Sequence, residues 1–318
     1  MIGFDIGGTK CSVSIGYETD DGLEIKDKRV IPTDLGISPY EMIERMCSHM
    51  EEMTDNIDVI GISCGGPLSS QKGVILSPPN LIGWDNVEIV KYLKEKYKKE
   101  VCLENDANAC AVAEWKYGAG KGTKNMVFMT FGTGLGAGLI LNGELYRGAN
   151  DMAGEAGHIR LSSFGPVGYG KAGSFEGFSS GNGIAQLGVS YATEKLQAGK
   201  TVSFCSGFSD LGNITAKKIA DLAKLGNQDA IDVYQTCGKM LGKGLSVLID
   251  ILNPERIVLG SVFERCENLL REPMQKVLEK ECLSLSLSAC EVVPALLKDN
   301  IGDYAALAVA AMNRKENE

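Results

Sequence analysis

The run ENDANA (104–109) sets Asn105 and Asp106 between an apolar stretch and an alanine-rich one. Asn and Asp at such a junction serve as helix caps, and capping alone would account for both. A carboxylate at a helix N-terminus is also kept ionised there, and it can accept a proton from a substrate hydroxyl. GEAGH (154–158) then offers Glu155 and His158, one of only two histidines in the chain, three residues apart in a glycine-containing turn. One neutral imidazole with two or three carboxylates suits a polyhydroxylated ligand, whose hydroxyls each want a donor and an acceptor.

A second kind of chemistry is suggested at two glycine turns. Asp5 ends an apolar strand that runs into GGTK (7–10), and Gly132-Thr133-Gly134 lies inside MVFMTFGTGLGAGLIL (126–141). Small residues at a strand tip let several backbone N–H groups converge on a phosphate, and a carboxylate beside them could hold Mg²⁺ directly or through water. One such turn could equally be a tight hairpin with a capping Asp; its near repeat favours nucleotide binding. GGTK lacks the G-x-x-x-x-G-K-[ST] spacing of a Walker loop. GTGLGA fits the dinucleotide pattern G-x-G-x-x-A, but strand-like GLILNGELY follows it where that fingerprint needs a helix.

The elements that must carry these groups are α/β in character. Residues 2–6 and CSVSIGY read as a hairpin around the first glycine turn, and 126–141 repeats that grammar about 125 residues later, which implies two similar domains. Ser38-Pro39-Tyr40-Glu41 is a capping box with Pro at the first helical position, followed by Met42, Met46, Met50 and Met53 as a core-facing stripe. VIGISCGG (59–66) and VCLEND (101–106) read as buried strands. Asn108 to Tyr117 reads as a helix, as do roughly 215–225, 228–252, 264–280 and 304–312, with RIVLGS (256–261) a further strand.

Composition narrows the classes. The 318 residues suggest two domains, and 44% hydrophobic with 23% charged residues is ordinary for a globular chain. A net charge of −9 provides no electrostatic footprint for nucleic acid or an anionic membrane. The ten cysteines are scattered without C-x-x-C and read as small core residues in a reducing cytosol. No basic leader segment and no window near ~20 apolar residues is present, so a cytoplasmic protein is expected.

Taken together, FDIGGTK, SPPNLIGW, ENDANACAVAEW, GTGLGAGLILNGELYRG and AGEAGHI resemble the ROK family of sugar kinases and sugar-responsive repressors, within the actin/hexokinase superfamily. The resemblance runs in order from residue 2 to about 185 and continues weakly through LNPERIVLGS. It implies an α/β fold of two ribonuclease-H-like domains flanking an interdomain cleft. The smaller would span 1–117 with about 301–318 and the larger 118–300. It also implies ATP, Mg²⁺ and a hexose as ligands, and a homodimer formed through the larger domain. On this likeness Asp106 corresponds to the general base. Gly65, Gly66, Asn80, Asn105, Glu155, His158 and Glu176 correspond to sugar contacts. Asp5, Gly7, Gly8, Thr9 and Lys10 match the first phosphate motif, Gly132, Thr133 and Gly134 the second, and Gly260 the adenosine contact.

Residues 165–177, GPVGYGKAGSFEG, depart from the family pattern. The family's motif histidine and three cysteines hold a structural zinc, but Val167, Tyr169 and Ser174 stand at the cysteine positions here. None supplies a thiolate, so no zinc is expected, and Phe164, Val167, Tyr169 and Phe175 are expected to form a small apolar cluster instead. Asp106, Glu155, His158 and Glu176 all persist, which favours a working kinase. Glucose or a related aldohexose is the first expectation as substrate, with N-acetylmannosamine or another amino sugar as the alternative. A non-enzymatic sugar sensor is the competing class. Family repressors carry an N-terminal helix-turn-helix, whereas here the first phosphate motif starts at residue 5, so no DNA-binding domain is expected.

Overall fold

In the computed structural model, which describes residues 1–20 and 22–314, the chain opens with β1 (Ile2–Ile6), β2 (Lys10–Thr19) and β3 (Gly22–Pro32). It continues through α1 (Pro39–Met53), β4 (Val59–Cys64), the hairpin β5 (Leu68–Ser69) and β6 (Val74–Ile75), α2 (Ile89–Tyr97), β7 (Glu100–Asn105) and α3 (Asp106–Tyr117). Next come β8 (Met126–Met129), β9 (Ala137–Leu141), β10 (Glu144–Tyr146) and a small hairpin, β11 (Val167–Gly168) with β12 (Lys171–Ala172). Helices α4 (Phe175–Phe178), α5 (Gly181–Gln197), α6 (Ala216–Lys224) and α7 (Gln228–Leu252) follow. The last elements are β13 (Arg256–Leu259), α8 (Val262–Glu281), α9 (Ser284–Ala289), β14 (Glu291–Pro294) and α10 (Ile301–Arg314).

The two five-stranded sheets share one permutation. Their orders are β3-β2-β1-β4-β7 and β10-β9-β8-β13-β14, so each runs third, second, first, fourth, fifth. Both are mixed: β1, β2 and β3 pair antiparallel while β4 and β7 join in parallel, and β9/β10 is antiparallel while β13/β14 is parallel. Tight turns serve the antiparallel neighbours, and the parallel ones require helical crossovers. Contacts divide the chain into unit 1 (1–128, 138–154 and 296–318) and unit 2 (129–137 and 155–295). Each is described by itself.

In unit 1, the Ser38–Glu41 capping box forms as the sequence predicts, and α1 buries Met42, Met46 and Met50 with Ile43 and Cys47; Met53 is partly covered. The alanine-rich α10 packs on the sheet at very short range. A Cβ on Gly61 would sit 2.2 Å from the Ala306 carbonyl oxygen, so only glycine admits the helix there. Asp303 on α10 is buried and accepts from Ser12 Oγ at 2.7 Å while pairing with Lys28. Glu114 of α3 is fully buried, and its carboxylate accepts the N–H groups of Ala119 (2.7 Å), Leu296 (2.9 Å) and Leu297 (2.8 Å), the last two on the approach to α10.

In unit 2, α7 buries Val233, Tyr234, Leu241 and Leu245, and Gly238 and Gly242 bring it against Pro273 and Met274 of α8. The sequence-derived start of α8 at 264 moves to Val262 because Ser261 and Glu264 form a second capping box. Among the described residues no helix is long and apolar enough to cross a membrane.

Candidate active site

Unit 1 carries the carboxylates. Asp5 is the fourth residue of β1 and lies beside Ser63 of β4 in the parallel register. Burial, then the charges of Asp303 and Asp106, push its carboxyl up to about 6. Past its strand the chain turns through Gly7-Gly8-Thr9-Lys10, closed by Gly7 N–H donating to the Lys10 carbonyl at 3.1 Å. The Gly8 Cα is pressed against Asn80: a Cβ there would lie 2.3 Å from the Asn80 carbonyl oxygen. Asn80 thus stands exposed beside the first phosphate motif, although the sequence resemblance assigns it to the sugar. Thr9 and Lys10 are also exposed.

At the β7–α3 junction, Asn105 is the N-cap. Its Oδ1 accepts from Ala107 N–H at 3.0 Å and Asn108 N–H at 3.4 Å, so the capping role and the candidate ligand role coexist. Its Nδ2 then faces the Gly65-Gly66 turn, 3.1 Å from where a Gly66 Cβ would stand. Asp106 opens α3 and is solvent-accessible. Protein atoms crowd it closely enough that desolvation still pushes its carboxyl above the usual range, partly offset by the Ala107 N–H at 2.8 Å. Among the described residues other than the neighbours of Gly65 in the chain, Asp106 Oδ2 alone comes within 4 Å of a Cβ built on Gly65, at 3.9 Å, so the carboxylate is open on that side.

Sequence patterns missed the group behind this junction. Glu104, 1% exposed, accepts from Asn105 N–H and Asn108 Nδ2, both at 3.0 Å, and from Arg147 Nε at 2.7 Å. Its position in ENDANA, directly before the capping Asn, was the available signal; Arg147 lies 43 residues away and carried none.

Unit 2 carries the second glycine turn and the motif histidine. Gly132 N–H donates to Gly134 O at 3.0 Å, while Gly181 N–H, at the start of α5, donates to Gly132 O at 2.8 Å. Strand β9 follows this turn, which is why GTGLGA is not a dinucleotide fingerprint. Gly260 is buried at the end of β13 and donates to Met129 O at 3.0 Å. Glu155 and His158 are exposed on a single 3-10 turn, Ala156–His158, with the imidazole edge-on to Tyr169 at 6.4 Å between centroids. Glu176 Oε2 accepts from Leu135 N–H at 2.9 Å and would be 2.7 Å from a Cβ on Gly134, so this carboxylate braces the second glycine turn.

The expected apolar cluster in 165–177 does not form. Phe164, Val167 and Tyr169 are 79%, 47% and 75% exposed; only Phe175 is buried. Hydrogen bonds organise the segment instead. The Gln186 amide accepts from Val167 N–H at 2.8 Å and donates to Val167 O at 2.9 Å, as a neighbouring strand would. Ser174, buried at one former cysteine position, caps α4 through Gly177 N–H at 3.1 Å, and Lys171 Nζ donates to His158 O at 2.7 Å. Two residues suffice for the β11–β12 turn because Tyr169 and Gly170 both adopt positive φ. Among the described residues no three His, Cys, Asp or Glu side chains gather as a metal-binding group.

Two mixed five-stranded sheets of one permutation, each with a glycine turn after its first strand, are those of a ROK/hexokinase-like fold. The family model for the ROK family matches residues 1–312, and the chain belongs to that family. It is 33% identical to a glucokinase of Halalkalibacterium halodurans over 95% of this chain and 92% of the relative. It is 26% identical to a xylose repressor of Caldicellulosiruptor bescii over 82% of this chain and 64% of the repressor. A ROK glucokinase from Streptomyces griseus, solved in complex with glucose and AMPPNP, superposes with a TM-score of 0.77 at 26% identity, covering 99% of both chains.

Proposed function

We propose that this chain is an ATP-dependent sugar kinase whose acceptor is a hexose hydroxyl, the 6-hydroxyl of glucose or a related aldohexose. The observation that carries this reading is Asp106: a solvent-accessible carboxylate at a helix start, open toward a glycine turn, with its capping neighbour Asn105 presenting an amide on the same side. Asp106 takes the proton of the attacking hydroxyl while the new oxygen–phosphorus bond forms and the bond to the leaving ADP breaks. Its raised carboxyl suits proton acceptance near neutral pH. Asn105, Glu155 and His158 supply donors and acceptors for the remaining hydroxyls. Glu176 belongs with them by family likeness, but its bond to Leu135 N–H gives it a second duty at the phosphate turn.

ATP phosphates suit Gly7–Lys10 and Gly132–Gly134, and adenosine suits the ground beside Gly260. Mg²⁺ fits Asp5, since that ion takes one or two carboxylates with substrate phosphates, and Asp5 is a hard oxygen donor on the strand that leads into the Gly7–Lys10 turn. Bound there, Mg²⁺ would neutralise charge developing on the transferred phosphoryl group. The segment 165–177 is read as needing no zinc, its order resting on Gln186, Ser174 and Lys171.

The likeness to a xylose repressor sustains a second reading, a sugar-responsive regulator that binds without turnover. ATP-dependent phosphorylation of glucose, mannose, N-acetylmannosamine, N-acetylglucosamine, allose and fructose separates the two. Asp106→Asn is expected to lower kcat at least ~10³-fold while sugar binding by calorimetry persists, in line with loss of a positioned base. An Asp106→Asn protein that phosphorylates at the parent rate sinks the assignment.

A further inference from the structure

Glu104 and Arg147 are a charged pair of unit 1 that the proposed chemistry does not use, and their geometry bears on it. Glu104 is 1% exposed and lies two residues before Asp106. Its carboxylate accepts from three donors: Asn105 N–H, Asn108 Nδ2 and Arg147 Nε. A carboxylate taken so far from water is tolerated where a cation and further donors surround it, and Arg147 is the cation that does so. The peptide N–H it holds is that of Asn105, so the angle at which β7 hands over to α3 is set by the Glu104 rotamer. That rotamer in turn is set by Arg147.

Arg147 is itself anchored. Its carbonyl accepts from Ala153 N–H at 3.1 Å, and Asp151 further along accepts from the Ser70 N–H (3.0 Å) and hydroxyl (2.5 Å). Two residues of the segment 147–154 are therefore tied to the rest of unit 1, Arg147 to Glu104 and Asp151 to Ser70. A guanidinium carried on it can act as a rigid stop in place of a mobile surface charge.

We propose that Glu104 and Arg147 are positioning residues for Asn105 and Asp106, holding the capping amide and the proton-accepting carboxylate at the angle the acceptor hydroxyl requires. Neither touches substrate. The inference rests on the kinase reading above. The Gly7–Lys10 turn proposed for phosphate joins β1 to β2, and β4 stands between β1 and β7 in the sheet, so the effect falls on the acceptor side.

The test compares Arg147→Met, Arg147→Lys, Glu104→Gln and the double variant Glu104→Gln/Arg147→Met with the parent, each normalised to folded protein. Misplacing a catalytic group by about 1 Å costs on the order of 10²-fold, and that is the loss of kcat expected for R147M, with KM for ATP within threefold. R147K keeps the charge and should recover most of the rate. The double variant should exceed R147M about tenfold, because it no longer buries an unpaired carboxylate. If R147M does not fold, E104Q, which keeps the acceptor for Asn105 N–H, stands in with an expected loss of about tenfold. An R147M rate within threefold of the parent, a double variant no better than R147M, or a rise in ATP KM at unchanged kcat overturns the proposal. A parent that phosphorylates no hexose overturns both this inference and the kinase reading; an active parent with indifferent variants overturns this one alone.

Discussion

Glu114 offers the sharpest test of how unit 1 is held together. Replacement by alanine removes the acceptor of three N–H groups, those of Ala119, Leu296 and Leu297, at 2.7 to 2.9 Å. Hydrogen bonds to a charged group contribute about 1.5–3 kcal/mol each, so the three together amount to roughly 4.5–9 kcal/mol. Alanine regains about 0.5 kcal/mol of helix propensity, and water entering the vacated space repairs part of the rest. The expected destabilisation is therefore about 4 kcal/mol, close to 10³-fold in the unfolding constant. Glu114→Gln keeps one oxygen for Leu296 and Leu297 but turns a donor toward Ala119 N–H, and should cost about half as much. Urea unfolding followed by tryptophan fluorescence reads this directly, because both tryptophans, Trp84 and Trp115, lie in unit 1. A loss below 1 kcal/mol for E114A, or an E114Q protein less stable than E114A, refutes the reasoning.

Two predictions concern pH and the segment 165–177. Asp5, pushed up to about 6 by burial and by Asp303 and Asp106, binds its proton more tightly folded than unfolded, so stability falls as pH rises from about 4 to 6 and stays reduced above. Asp5→Asn removes a penalty of roughly 2–3 kcal/mol at pH 7.5 and should converge with the parent below about pH 4; urea midpoints in chelator-treated buffer showing D5N the less stable protein at pH 7.5 would falsify this. Gln186→Ala loses both bonds to Val167, about 1 kcal/mol net, and should raise the hexose KM roughly fivefold. Added zinc should not restore it, and recovery on zinc addition counts against a hydrogen-bonded loop.

Short-range pattern carried much of the fold. The capping box at Ser38, the hairpin around GGTK and the strand after GTGLGA each depend on residues within a few positions of one another, and each is found in place. The repeat of strand, glycine turn and strand 125 residues apart implied two similar domains, and the two sheets share one permutation that the repeat alone did not specify. What escaped was long-range. Arg147 meets Glu104 across 43 positions and Leu296 meets Glu114 across 182, and no periodicity announces either partner. The 165–177 segment failed for another reason: its aromatic residues suggested burial, whereas a two-residue turn and an amide from α5 order it with the rings outside. Glu176 showed its bond to the second glycine turn only in three dimensions.

The placement of α10 against β1 and β4 sets an order of events during synthesis. The sheet face at Gly61 is complete once residue 105 has emerged, but the helix that covers it starts at Ile301, nearly 200 residues later. At about 5–20 residues per second, a ribosome takes on the order of 10–40 s to make that span. For that interval unit 1 is a nascent sheet with an uncovered face while unit 2 is completed. The chain's demand on holding chaperones therefore falls on its first third, although the residues that end the demand are among its last.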